Sequence, residues 1–424
     1  MGGVKLIKIF KNKNYTLLFL ANITSQMGAT IGLTAIMFFM LDKYSSQPSY
    51  TSITELMYSL PTLAVFFIVG VIADKIDRKK VATNCDFISA GISLLLLFAF
   101  IKESIILIFM LLFLRNAISR FFQPAQQAII QGILKEDEYT IAAGLNQMVG
   151  SLFMLVGNGI GIIAYKTLGV EGAIIIDFFS FLVSGLLIYS CKLSEIIRLP
   201  NGKSAWQDFK LRSIMNDFKN GLAYIFRNKL LLSLTFGFFI FGFVNGGLAV
   251  LPAFIMKYKI APETYETAMI WFGIVFGSGM LIGSLLASAI ASKLKLHQLI
   301  ITGLFVTGLT LGISGFTNNI YIFLSLIFVF SLFLPVANIG IGGWLPRIIK
   351  PEMMGRVQGC ITPLMMLGQS IALGGITFTY PKYLGIEMTY ILIGSILFGL
   401  FLIYLVILPK YTNLENNNEK LSMS

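Results

Sequence analysis

The chain has 424 residues, of which 56% are hydrophobic and only 12% charged, about half the charged fraction (about 25%) of a soluble domain. That composition excludes a solvated globular enzyme and indicates a polytopic membrane protein. The net charge of +12 is a topology signal and not a nucleic-acid footprint, because the cations crowd alternate short loops and both termini, as positive-inside sorting requires.

Twelve apolar stretches are long enough to cross about 30 Å of hydrocarbon: 15–41, 51–73, 81–101, 105–130, 141–165, 170–191, 230–256, 265–291, 297–316, 320–346, 359–381 and 386–408. The expected fold is therefore all-α, with twelve transmembrane helices in two six-helix bundles and both termini cytoplasmic. The expected division is 1–192 for the N-terminal bundle, 193–229 for a cytoplasmic linker, 230–410 for the C-terminal bundle and 411–424 for a cytoplasmic tail. Lys5, Lys8, Lys11 and Lys13 precede the first span. That span lacks a small-residue cleavage site and is expected to stay as an anchor. It carries Asn22, Thr24, Ser25 and Gln26, polar groups that either line a cavity or join helices. The second span ends in Gly70-Val-Ile-Ala-Asp-Lys-Ile-Asp-Arg-Lys-Lys80, a dense charge cluster that a bilayer core would reject.

The fourth span holds Arg115 and Arg120. Arg115 lies about ten residues, or about 15 Å at 1.5 Å per residue, below the outer surface, where a cation is costly and commonly functional. Arg120, nearer the cytoplasm, has Asp86 of the third span as its nearest candidate partner. In the fifth span, Gly157-Asn-Gly-Ile-Gly-Ile lacks the strand and βαβ unit of a dinucleotide fingerprint. Gly161-Ile-Ile-Ala-Tyr-Lys-Thr is no P-loop, since Tyr165 stands where glycine is needed. Asp177 in the sixth span reads as the only acid deep in an apolar run, either a hydrogen-bonded structural group or a proton carrier. Cys85, Cys191 and Cys360 all fall at predicted cytoplasmic helix ends, so no disulfide is expected.

The polar segment 193–229 alternates apolar and charged residues at helical spacing. Ile214, Phe218, Leu222 or Ala223, and Phe226 would share one face of a helix lying on the membrane surface. In the second half, Asn245, Asn338 and Gln369 are further cavity candidates, whereas the lone His297 sits at a helix end and carries no assigned role. The halves echo each other: Phe122-Gln-Pro-Ala matches Phe333-Leu-Pro-Val, and Gly283-Ser-Leu-Leu-Ala sits where Gly70-Val-Ile-Ala-Asp sits in the first half. Parallel repeats of this kind build one large class of secondary transporters.

The 70–80 loop resembles the signature G-x-x-x-D-[RK]-x-G-R-[RK] of the major facilitator superfamily, with Asp77 where the family usually has glycine. The resemblance makes Gly70, Asp74, Arg78 and Lys79 a gating motif, with Asp74 pairing with Arg78 or capping a facing helix. Of the family's helix-four motif only Arg115 carries over. The segments Arg115-x5-Phe-x2-Pro-Ala125, Gly172-Ala…Asp177…Phe181, Asp217-Phe-Lys-Asn-Gly-Leu-Ala-Tyr-Ile-Phe-Arg and Pro351-Glu-Met-Met-Gly-Arg-Val resemble the drug–proton antiporter branch that holds macrolide efflux and enterobactin-type exporters. Fifth-span Asn158 departs from the proline of that branch.

The resemblance implies alternating-access export of amphiphilic small molecules from a multi-pass bacterial cell membrane, driven by a proton gradient with no cofactor. Its expected partners are the small substrate, protons and the bilayer, without nucleic acid, and the carrier is expected to be a monomer. The rival readings are a siderophore-type metabolite exporter, a lysophospholipid flippase, and a membrane-embedded enzyme or sensor.

Overall fold

The computed structural model describes residues 9–199, 211–291 and 294–422, and the side chains of 70–75, with some others inside helices, lie outside the described residues. Among the described residues the chain is helical, without strands. It opens with α1 (Lys13–Lys43), α2 (Ser49–Lys75), α3 (Arg78–Ile101), α4 (Ile105–Ser119), α5 (Phe122–Ile133), α6 (Glu136–Leu152) and α7 (Asn158–Tyr189). The short α8 (Glu195–Arg198) and α9 (Leu211–Arg227) follow, then α10 (Lys229–Ile255), α11 (Tyr265–Ala291), α12 (Leu296–Ser314), α13 (Ile320–Ile348), α14 (Pro351–Thr379) and α15 (Ile386–Ser422). Short polar side chains set several starts. Asn12, Asp77, Asn228 and Asn319 each accept from two backbone N–H groups at the head of the next helix, which satisfies donors the helix itself leaves unpaired.

The predicted span 105–130 is bent. Pro124 lacks an N–H and its ring crowds the carbonyl four residues back, at Arg120. The helix breaks there, between Ser119 and Phe122, and Pro124 sits in the first turn of α5, where proline is tolerated. A second break reverses the chain. Gly169 has φ 72° and ψ −179°, a conformation that side chains beyond glycine rarely adopt. Before it, Gly157 and Gly161 abut Thr30 and Thr34 of α1, and Tyr165 donates to Asp42 at 2.9 Å, so this arm runs parallel to α1. After it, Asp177 abuts Gly32 and Ser180 abuts Gly28, so the second arm runs antiparallel. Ten helical segments among the described residues are long and apolar enough to cross a membrane.

The chain forms two compact units, residues 1–214 and 215–424. The N-terminal unit has an apolar cluster toward each end. One gathers Tyr15, Leu18, Val81, Cys85, Ile130 and Ile188; the other gathers Ile36, Met40, Leu96, Leu112 and Ile174. Residues between them in α1, α3, α4 and α7 supply a buried polar layer.

The C-terminal unit is built on close backbone approach. Gly242 of α10 faces the Met365 backbone of α14, and Gly368 of α14 faces the Phe239 carbonyl and Phe243 N–H of α10. Small residues at such crossings let helices gain van der Waals contact where lipid gives no hydrophobic drive.

The helix α9 packs on the start of α14 through Gly221, which abuts the Arg356 carbonyl and Cys360, and through buried Ile225. Phe226 is 65% exposed and Ala223 is also exposed, because the packing stripe runs 218–221–225 and is centred on a glycine. The side chain of Ile214 and the segment around Trp206 lie outside the described residues.

Candidate functional site: the buried charge layer of the N-terminal unit

Arg115 of α4 and Asp177 of α7 are 2% and 0% exposed. They form an ion pair, Nη1 to Oδ2, and Ser93 of α3 donates its hydroxyl to the same Oδ2 at 2.7 Å. The guanidinium also lies 5.9 Å from the centre of the Phe181 ring, within cation–π range. Arg115 is thus committed to a carboxylate inside its own unit. Burying either charge alone would be strongly destabilising, whereas the pair with its added hydrogen bond is tolerable. Gly32 of α1 sits directly against the Asp177 side chain, and among the described residues Asp177 Oδ1 has no hydrogen-bond partner.

Asp86, 2% exposed, accepts from the Ser184 hydroxyl at 2.5 Å. It is a second deep acid, which corrects the reading of Asp177 as the only one. The two contacts are reciprocal. α3 offers an acid at 86 and a serine at 93; α7 offers an acid at 177 and a serine at 184. The helices run antiparallel, so each acid meets the other's serine. The sequence carries the sign: Asp86-Phe-Ile-Ser-Ala-Gly-Ile-Ser93 and Asp177-Phe-Phe-Ser-Phe-Leu-Val-Ser184 share the pattern D-F-x-S-x-x-x-S. Seven residues are two helical turns, about 10.5 Å, which sets the separation of the two rungs.

Arg120 does not pair with Asp86. Its Nη2 donates to the Tyr58 carbonyl at 3.0 Å, and its guanidinium lies 4.6 Å from the centre of the Tyr58 ring. Five residues after Arg115, at about 100° per residue, it points to another side of the bundle, toward α2.

In the charged loop, Asp77 caps α3 through Lys79 and Lys80 N–H groups and forms an ion pair with Arg198 of α8. Burial pushes its carboxyl up, but the Arg198 hydrogen bond, the two backbone donors and the Arg198 charge outweigh this and hold it below the usual carboxylate value. The acid at the family's glycine position therefore ties the loop to the chain leaving α7. Lys79 reinforces that tie, donating to the Cys191 carbonyl at 2.8 Å. Arg78 reaches the Ala128 carbonyl at 3.4 Å. Of the other gating-motif residues, the side chain of Asp74 and the surroundings of Gly70 lie outside the described residues.

The cavity candidates divide between the units. Asn22 is buried and accepts from Gln26 Nε2 one turn on, at 2.9 Å. In the second unit Asn245 and Asn338 are exposed and Gln369 is half-buried.

The family model described as Major Facilitator Superfamily matches residues 18–297. The chain belongs to that superfamily. The Bacillus subtilis MFS-type transporter YkuC is 49% identical over 405 residues, covering 95% of this chain and 94% of that one. Macrolide efflux protein A of Streptococcus pyogenes is 26% identical over 371 residues, covering 86% and 88%. Among solved structures, a POT family transporter in complex with a thioalcohol-conjugated peptide superposes with TM-score 0.74 at 13% identity, covering 93% and 96%. The nucleoside transporter NupG superposes with TM-score 0.64 at 15% identity, covering 93% and 97%. These superpositions bear on the fold alone. The protein is a multi-pass transporter of the bacterial cell-membrane type.

Proposed function

We propose that this superfamily member exports amphiphilic, macrolide-like small molecules by alternating access, in exchange for protons and as a monomer. The observation that carries the reading is the likeness to macrolide efflux protein A over 86% of the chain. In this reading there are twelve crossings: the ten apolar segments, α2, and one more because the chain reverses at Gly169. Both termini are cytoplasmic in this reading, which the cation-rich alternate loops support. Gly70, Asp74, Arg78 and Lys79 form the cytoplasmic gate, with the Asp77–Arg198 pair holding the loop that carries it.

The test is efflux from cells expressing the protein, measured with a radiolabelled macrolide and with an amphiphilic dye. Expected is lowered accumulation relative to vector alone, abolished by a protonophore. Accumulation equal to the vector control for both probes overturns the export reading, and efflux indifferent to the protonophore overturns the proton exchange. Asp74→Asn should slow efflux at unchanged surface expression; an unchanged rate removes Asp74 from the gate.

A further inference from the structure

We infer that Asp86, held by the Ser184 hydroxyl, is a proton-binding site of the N-terminal unit. The reciprocal pairing of α3 with α7 places two buried carboxyl groups about two turns apart, and the layer between the apolar clusters supplies one guanidinium. Arg115 is committed to Asp177. Among the described residues Asp86 has a hydroxyl donor and no ion-pair partner. With both acids ionised the layer would carry one uncompensated negative charge, which membrane-depth protein strongly disfavours. One proton on Asp86 balances it. The protonated group keeps the Ser184 hydroxyl as donor to Oδ2. Ser89, one turn along the same face, is a buried hydroxyl without a partner among the described residues.

The surroundings leave few alternatives for that balance. On α3 itself Cys85 adjoins Asp86, and Arg78, Lys79 and Lys80 sit two turns away at the helix start. α7 brings Asp177 and, past Ser184, Tyr189; its Tyr165, Lys166 and Glu171 lie farther off, around the reversal at Gly169. α4 brings Arg115 and, at its C-terminal cap, Arg120, which is engaged with the Tyr58 carbonyl and ring, and α5 has no ionisable residue. α2 carries Tyr50, Glu55 and Tyr58, with the side chains of Asp74 and Lys75 outside the described residues. The short α8 carries Glu195 and Arg198, the latter engaged with Asp77. Tyr15 of α1 shares the apolar cluster with Cys85.

The assignment is independent of cargo and direction, and its test needs no substrate. Infrared spectra of the purified full-length protein in detergent at neutral pH report protonated carboxyl groups through their C=O stretch. Expected is a protonated-carboxyl band in the wild type, lost in Asp86→Asn and retained in Glu55→Gln. Ser184→Ala should keep the band and shift it to higher frequency as its hydrogen bond disappears. That variant also preserves the test if Asp86→Asn does not fold. The inference is overturned if the wild type lacks the band, if Asp86→Asn keeps it, if Glu55→Gln removes it instead, or if Ser184→Ala leaves it unmoved. Efflux can fail while the band behaves as expected, and the reverse, so the two readings fall separately.

Discussion

The two units are held together by different means. In the N-terminal unit, helices far apart in sequence meet through side chains: Arg115 with Asp177, Ser93 with Asp177, and Ser184 with Asp86. In the C-terminal unit, the buried hydroxyls of Thr235, Thr307, Thr310 and Ser331 donate to carbonyls of their own helices. There, Gly242, Gly246 and Gly368 bring backbones into direct approach. A charge and hydroxyl ladder fixes helix register, because a shift by one turn would strand a buried acid. Close glycine packing specifies shape and is indifferent to charge. The unit that carries the charged loop is also the one whose core buries two acids, Asp86 and Asp177.

The largest expected effect tests the ladder. Arg115→Leu leaves Asp177 buried without a cation and should cost about 3–5 kcal/mol, while the double variant Arg115→Leu/Asp177→Leu should recover most of it. Chemical unfolding of the purified protein in detergent reads both, and full additivity of the single variants would show that the pair is not coupled. The counterpart in the other unit is smaller. Gly368→Ala pushes a methyl into the α10 backbone and should cost about 1–3 kcal/mol. Gly374→Ala, which meets open space, should instead stabilise by about 0.5–1 kcal/mol through helix propensity. Equal effects at the two glycines would refute the close-packing account.

Next in size is the loop. Asp77→Ala removes a helix cap and an ion pair and should cost about 1–2 kcal/mol at neutral pH. The Asp77 carboxyl lies below its ordinary value in the folded protein. Its contribution is therefore complete above the usual carboxylate range and is lost as pH falls through and below it. The gap in melting temperature between wild type and Asp77→Ala should close on acidification; a gap that widens would reverse the sign of the argument. The smallest effect is expected at Phe226, exposed on α9, where alanine should change stability by less than about 0.5 kcal/mol. A larger loss would mean that Phe226 is packed within the unit and would refute the 218–221–225 stripe.

Much of the charged loop could be read in advance, including the acid at Asp77 where the family usually has glycine. That Arg198 is its partner could not, since 121 positions separate them. The Arg115–Asp177 pair was missed for the same reason, yet the repeated D-F-x-S-x-x-x-S pattern was open to inspection and pointed to α3 and α7. The face of α9 that packs on α14 was not legible, because a hydrophobic stripe gives no weight to Gly221, and it is the missing side chain at Gly221 that lets the helix settle on α14.

Membrane insertion, the helical spans and the charge cluster at 74–80 follow from the sequence by itself, because hydropathy and loop charge act against the bilayer residue by residue. Only the tertiary structure decided which buried charges meet. It also decided that the acid–serine ladder lies in one unit and the closest glycine–backbone crossings in the other. Those outcomes depend on which faces of distant helices are brought together, and a partner that arrives across the bundle leaves no local trace at either residue.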